Sequence, residues 1–388
     1  MPIGYLITTG GMAVVGMSAA LRHRPRRSSP FRPSYIFGLW LNWPLVAFLL
    51  LLASTALAID QSGIGSPGLW AGLGLAVVAS AALVVLSRRA HETGPALERA
   101  LDEGLAGDWR NVVDAKLSAR LRRRPFLARV LLAPVSSRRR GVERIGNLRY
   151  GPAGRANLLD LYHDRSVRPG RPVLVHLHPL FGSKRLGTRY LLHRLAGEGW
   201  ICVGANYRRA TDSELSDPLV DVKRVIAWMR EHGAEYGADP TCIFVAGSSL
   251  GGLLGSLAAF TPGDPALQPG FESADTSVAG VVSLYGYYGD GRGLPYAATN
   301  APPFFVAHGD QDTLVPVDDA RGFVGQLRAS SSNPVVYVEL PGAQHGFDLF
   351  RSRRLDSVVD AIEAFAAWVT SRGGAARQRR DSIERVCL

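Results

Sequence analysis

The run Cys242-Ile243-Phe244-Val245-Ala246-Gly247-Ser248-Ser249-Leu250-Gly251-Gly252 changes its periodicity halfway along. Ile243, Phe244, Val245 and Ala246 form an unbroken apolar segment of strand length, whereas Leu253, Leu254, Leu257 and Ala258 return at helical spacing. Between them lies G-x-S-x-G, with Ser249 at its centre. So abrupt a passage from strand to helix is strained, and Gly247 and Gly251 leave room for the chain to pass close to itself. The hydroxyl of Ser249 is thereby expected to stand above the end of a sheet, in front of a helix N-terminus that favours negative charge. Glycine and serine are also ordinary turn residues, so the reading depends on what lies downstream.

Strand and helix patterns alternate around this run. Strand-like segments occupy 173–178, 201–205, 278–284, 303–307 and 335–340, and helical segments 188–198, 217–236, 318–329 and 355–369. A hairpin is expected over 150–162, with Gly151, Pro152, Gly154 and Arg155 in its turn. The alternation predicts an α/β domain whose mostly parallel sheet is covered on both faces, with its chemistry at the carboxyl ends of the strands. Two such ends carry candidate partners for Ser249: His308-Gly309-Asp310-Gln311-Asp312 and Pro341-Gly342-Ala343-Gln344-His345-Gly346. A serine hydroxyl needs a base to take its proton. His345 can do this with one ring nitrogen while a carboxylate holds the other. Asp312 is the first candidate for that carboxylate; Asp310, expected to shape the turn, and Asp348 are its rivals.

From about residue 158 to the end of the last helix, the chain resembles the hormone-sensitive-lipase type of carboxylesterase, and among these the membrane-anchored actinobacterial esterases. The resemblance rests on Gly199-Trp200 through Asn206-Tyr207-Arg208, Asp221-Val222-Lys223 through Trp228, and Tyr236-Gly237-Ala238-Asp239-Pro240. It extends to the serine turn, Ala301-Pro302-Pro303-Phe304-Phe305 and Pro341-Gly342-Ala343-Gln344-His345. It implies an α/β-hydrolase fold and cofactor-free ester hydrolysis through an acyl-enzyme, on short to medium acyl chains. Ser249 would be the nucleophile, Asp312 the acid and His345 the base. The chain departs from the family where an H-G-G-G-type loop is usual, reading His178-Pro179-Leu180-Phe181-Gly182. Pro179 has no N–H to give, so the expected oxyanion donors are the amides of Leu180, Phe181 and Leu250. Leu250 also replaces the smaller residue usual after the serine. The short, Gly-rich segment between Tyr288 and Ala301 suggests a reduced cap.

The chain has 388 residues, enough for one catalytic domain of about 200–250 residues and a further N-terminal segment. Residues 2–21, 36–59 and 64–86 contain charge-free apolar runs, each near the roughly 20 residues that cross a bilayer as a helix. Only one charged side chain, Asp60, falls between the second and third, whereas Arg22, Arg24, Arg26, Arg27 and Arg32 follow the first and Arg88 and Arg89 the third. The positive-inside rule therefore predicts an integral membrane protein with its catalytic domain in the cytoplasm. The first span lacks the basic start of a secretory signal. The expected domains are 1–89 (three spans), 90–149 (a basic amphipathic linker or partial cap), 150–372 (the hydrolase) and 373–388 (a basic, disordered tail).

The formal charge of +11 is carried almost wholly by arginine. It suits a GC-rich genome or an anionic lipid surface, and without base-stacking motifs it does not suggest nucleic acid as a partner. The three cysteines lack metal or disulfide spacing, and H-E-x-x-H, Walker and dinucleotide fingerprints are missing. The expected partners are a lipophilic ester and membrane lipid. The alternatives are a peptide or thioester substrate on the same three residues, or a non-catalytic membrane scaffold, for which Pro179 and Leu250 are the support.

Overall fold

The structure is a computed structural model that describes residues 3–21, 42–105, 108–113, 115, 117, 139–166, 168–185, 189–209, 215–289, 300–349 and 351–386. Eight strands form one sheet: β1 (Val142–Arg149), β2 (Leu158–Asp164), β3 (Arg171–Leu177), β4 (Ile201–Ala205), β5 (Ala238–Ser248), β6 (Gly280–Leu284), β7 (Phe304–Gly309) and β8 (Val335–Leu340). Their spatial order is β1-β2-β4-β3-β5-β6-β7-β8. β2 runs antiparallel to both of its neighbours, β1 and β4, and every later pairing is parallel. Nine α-helices are described: α1 (Ile3–Ala20), α2 (Pro44–Ser62), α3 (Pro67–His91), α4 (Thr93–Gly104), α5 (Arg189–Ala196), α6 (Ser216–His232), α7 (Leu250–Phe260), α8 (Val317–Ser330) and α9 (Arg353–Val386). This is the expected α/β-hydrolase fold, a mostly parallel sheet between helical layers.

Side-chain alternation along the strands builds two cores. Ile243 and Val245 of β5 join Val173, Val175, Ile201 and Val203 beneath α6 and α7. Phe244 and Ala246 face the other way, with Leu174 and Phe305 beneath α9 and α4. Central strands buried on both sides read as continuous apolar runs, which is why β5 was legible. Cys202 and Cys242 are buried thiols in these layers, not joined in a disulfide.

The register aligns the strand ends that matter. Leu177 pairs with Gly247, Ser248 with Leu284, Leu284 with Ala307, and Gly309 with Leu340. The residues that follow, at 178, 249, 285, 310–312 and 341–345, therefore emerge along one rim.

Several boundaries differ from the sequence reading. The hairpin is β1 with β2, so its first strand lies before residue 150, and residues 150–157, which hold the expected turn, connect the two. A methyl group on Gly151 would lie 2.4 Å from Asn157 Oδ1, and that oxygen accepts the Ala153 amide at 2.9 Å, so this stretch is a tight turn. β1 escaped notice because a bulge between Ile145 and Leu148 breaks its alternation, with Asn147 at φ 62°. The hydrolase sheet thus begins at Val142. The segment expected as linker or cap contributes α4 to the layer over β8: Leu97, Leu101 and Trp109 are buried. A methyl group on Gly104 would lie 2.7 Å from Val336 Cγ2. The basic amphipathic stretch at 117–132 lies outside the described residues, apart from Leu117. The backbone of α9 continues into the stretch expected as a tail.

The three N-terminal helices pack side by side. Tyr5 of α1 hydrogen-bonds Thr55, just past the middle of α2 (2.8 Å). At the other end of α1, Arg89 of α3 donates to the carbonyls of Ala19 and Ala20. A methyl group on Gly16 would lie 3.0 Å from Ala82 Cβ, so small residues let α1 and α3 approach closely. α1 and the segment from Pro67 are long and apolar enough to cross a membrane, by length and composition; the apolar part of α2, Val46–Ser62, is shorter. α2 begins at Pro44, inside the predicted second span, whose residues 36–41 lie outside the described residues.

Candidate active site

Ser249 is the hinge between β5 and α7, and its backbone is strained as the sequence predicts, with φ 55° and ψ −119°. A non-glycine residue holds such angles only where its surroundings over-determine them. Its amide donates to Leu284 O at 3.0 Å, and its carbonyl accepts from Gly252 at 3.0 Å and Tyr287 at 3.2 Å. Both flanking glycines are required by space. A methyl group on Gly247 would lie 2.1 Å from Gly251 O, and one on Gly251 would lie 2.3 Å from Leu177 O and 2.8 Å from His178 O. The head of α7 is thereby pressed against the end of β3.

The side chains at 249, 312 and 345 meet at this rim. His345 Nε2 lies 3.1 Å from Ser249 Oγ, and His345 Nδ1 lies 2.7 Å from Asp312 Oδ2. An ionised carboxylate only accepts, so Nδ1 carries the proton and Nε2 presents its lone pair to the serine. Asp312 Oδ1 accepts the amides of Leu314 (2.9 Å) and Val315 (2.8 Å). Burial alone would raise the Asp312 pKa. The facing His345 imidazole, with a smaller contribution from His308, outweighs it and holds the carboxyl well below the ordinary range.

Asp310 and Asp348 do other work. Asp310 accepts the Gly342 amide at 2.7 Å, joining the aspartate loop to the histidine loop. Asp348, fully buried and with its pKa raised by that burial, accepts from Ser248 Oγ (2.6 Å) and Tyr285 Oη. The Tyr285 ring, at φ 40°, packs edge-on to the His345 imidazole with centroids 4.5 Å apart.

The 178–182 turn stands beside the head of α7. Gly182 N–H donates to Pro179 O at 2.8 Å, which closes a β-turn with Leu180 and Phe181 at its centre, and that closing bond uses neither of their amides. Both side chains are exposed. The turn rests on a rigid floor. The His178 ring stacks on Tyr207 at 4.2 Å, and burial lowers its pKa, so it is neutral. On the far side, Lys184 Nζ reaches buried Asp160 at 2.6 Å and its amide donates to Asn206 Oδ1 at 2.8 Å.

Sequence reasoning missed four supports. His308 Nε2 donates to Val315 O (2.9 Å) and lies 3.3 Å from Asp312 Oδ2. Gln344 Oε1 accepts the amides of Thr313 (2.6 Å) and His345 (2.9 Å), tying the two loops together. The Ser248–Asp348–Tyr285 group is the third and Asn42 the fourth. The polar residues beside 312 and 345 were a signal for the first two; none existed for Asn42.

The chain is similar to known carboxylic ester hydrolases. The BD-FAE family model matches residues 159–289. "Probable carboxylic ester hydrolase LipM" of Mycobacterium tuberculosis is 39% identical over 337 residues, covering 76% of this chain and 77% of that protein. "Esterase LipQ" of the same organism is 38% identical, covering 62% of this chain and 66% of that protein. Among solved structures, esterase 2 of Thermogutta terrifontis aligns with a TM-score of 0.48 at 24% identity, covering 58% of this chain and 92% of that one. With 39% identity sustained over three quarters of both sequences, the chain belongs to the hormone-sensitive-lipase-like carboxylic ester hydrolases of the α/β-hydrolase fold.

Proposed function

We propose that the protein is a membrane-anchored serine esterase that cleaves lipophilic esters of short to medium acyl chains through an acyl-enzyme. The observation that carries this reading is the pair of distances across His345, 3.1 Å to Ser249 Oγ and 2.7 Å to Asp312 Oδ2. Nε2 of His345 takes the serine proton as Oγ attacks the ester carbonyl, and Asp312 stabilises the imidazolium that results. Negative charge grows on the carbonyl oxygen. The amides of Leu180, Phe181 and Leu250 are the donors for it, helped by the N-terminus of α7. Collapse of the adduct expels the alcohol, which takes its proton from His345. Water then repeats the cycle on the acyl-enzyme and releases the acid.

Helices α1, α2 and α3 are the proposed anchor. Their outward faces support this, with Ile3, Ile7, Val14, Leu57, Trp70 and Val77 all exposed, as does the arginine clustering before α2 and in the last turn of α3. By the positive-inside rule, that clustering supports a cytoplasmic hydrolase. An anchor of this kind holds the site near bilayer-dissolved esters.

The test is labelling with a fluorophosphonate, which reacts only with an activated serine. Wild-type protein in membranes should label and hydrolyse p-nitrophenyl esters, and Ser249→Ala should do neither while keeping its melting transition. Turnover unchanged in Ser249→Ala would overturn the reading.

A further inference from the structure

Asn42 lies two residues ahead of Pro44, the first residue of α2, and is 2% exposed. Its carboxamide grips the backbone of the loop that carries His345. Nδ2 donates to His345 O at 3.1 Å, and Oδ1 accepts the Gln344 amide at 3.0 Å. The two bonds satisfy a donor and an acceptor on adjacent residues, both buried, so neither peptide group can rotate without losing a partner. The same loop rests on α3: the Cβ position of Gly342 lies 3.3 Å from Leu86 Cδ2 and 3.6 Å from Arg89 Cβ. Arg89 in turn binds the end of α1. All three apolar helices thus bear on the six residues from Pro341 to Gly346, across some 300 positions of sequence.

We infer that Asn42 is a positioning residue for His345, so that the membrane-side helices set the geometry of the catalytic base as well as tethering the enzyme. The inference rests on the proposed role of His345 in the esterase reaction. At 3.1 Å, the Nε2–Oγ contact sits near the long end of the range for a general base. The loop therefore has little slack in the direction away from the serine. Releasing the Asn42 clamp takes one partner from the buried Gln344 N–H and one from the His345 C=O, and the loop shifts to compensate. A displacement on the order of 1 Å at a reacting group costs about 100-fold in rate. Asn42 is buried with its carboxamide bonded to the loop backbone, so its removal is expected to leave substrate binding unaffected.

The test uses full-length protein in liposomes, with sites counted by fluorophosphonate titration where His345 is intact, and by folded protein content from a melting curve in the His345→Ala background, so that misfolded enzyme does not enter kcat. Asn42→Ala removes both bonds. Asn42→Asp keeps the size and the acceptor for Gln344 but sets an oxygen against His345 O. Both variants should lower kcat about 10- to 100-fold with KM within about twofold. In a His345→Ala background, Asn42→Ala should cost no further activity, because the residue it positions is gone. A kcat for either variant within about twofold of wild type overturns the inference. So does an equal loss in the His345→Ala background, which is what general destabilisation would produce. Wild-type turnover in His345→Ala alone would instead overturn the general-base reading, and this inference with it.

Discussion

Replacing Asp312 with asparagine changes one atom and, by the geometry around it, should reverse the chemistry of His345. Asp312 Oδ1 accepts two backbone amides, from Leu314 at 2.9 Å and Val315 at 2.8 Å. An asparagine at this position must keep its oxygen there, since the opposite flip would set its NH2 against both donors. Its NH2 is then held in the place of Oδ2, facing His345 Nδ1 at 2.7 Å. His308 cannot relieve it, because its Nε2 proton is committed to Val315 O. The imidazole therefore accepts at Nδ1 and carries its proton on Nε2, directed at Ser249, where it cannot serve as a base. A base locked in the wrong tautomer loses about 10⁴-fold in kcat, or about 5 kcal/mol of transition-state stabilisation. The assay is steady-state hydrolysis of a p-nitrophenyl ester by titrated, full-length Asp312→Asn, with a melting curve as the control for folding. Asp310→Asn is the internal comparison. It keeps an acceptor for the Gly342 amide and should stay within about fivefold of wild type, a loss of about 1 kcal/mol or less. A loss under about tenfold in Asp312→Asn with an intact fold would refute the reasoning, as would the two variants exchanging their effects.

Three further outcomes follow from the geometry. Ser249→Gly should abolish turnover yet raise stability by about 1 kcal/mol in a denaturant titration, because relief of the φ 55° backbone exceeds the entropic cost of glycine; an unchanged or lowered midpoint would argue against strain at the serine. Gly251→Ala drives a methyl group to 2.3 Å from Leu177 O, and fluorophosphonate labelling should fall by at least about 100-fold as the head of α7 is displaced from the turn. Burial pushes the Lys223 ammonium down from 10.5 to about 8, so the folded protein sheds that proton before the unfolded chain does. Its contribution to stability is fully present above pH 10.5 and is lost as pH falls through about 8. The difference in Tm between wild type and Lys223→Met should therefore shift in favour of wild type as pH rises across that window, and a constant difference would count against it.

What was legible in the sequence was local. The strand-to-helix switch around Ser249 is written in eleven consecutive residues, and the glycines that permit it stand at fixed offsets. Asp312 and His345 could be picked out because each follows a mainly apolar strand. β1 was hidden because its bulge at Gly146-Asn147 interrupts the alternation by which strands are recognised. The choice among Asp310, Asp312 and Asp348 could not be made from spacing, since all three lie within reach of the rim. The direction of each carboxylate separates them: toward Gly342, toward His345, and toward Ser248 and Tyr285. Asn42 was unreadable for a different reason. Within an apolar run it looks like a polar blemish, and its partners stand at the opposite end of the chain.

The packing of α4 over β8 bears on how this enzyme can be cut. A gene trimmed to start near residue 150, where composition invites the scissors, would lose the outermost strand, whose Glu143, Arg144 and Asn147 guard that margin from strangers. It would also strip the hydrocarbon lid formed by Leu97, Leu101 and Trp109 from the opposite margin. Such a fragment would carry two raw borders and clump. A version freed of the three apolar helices has to be severed at the joint between His91 and Thr93, and even then it gives up the grip on residues 344 and 345.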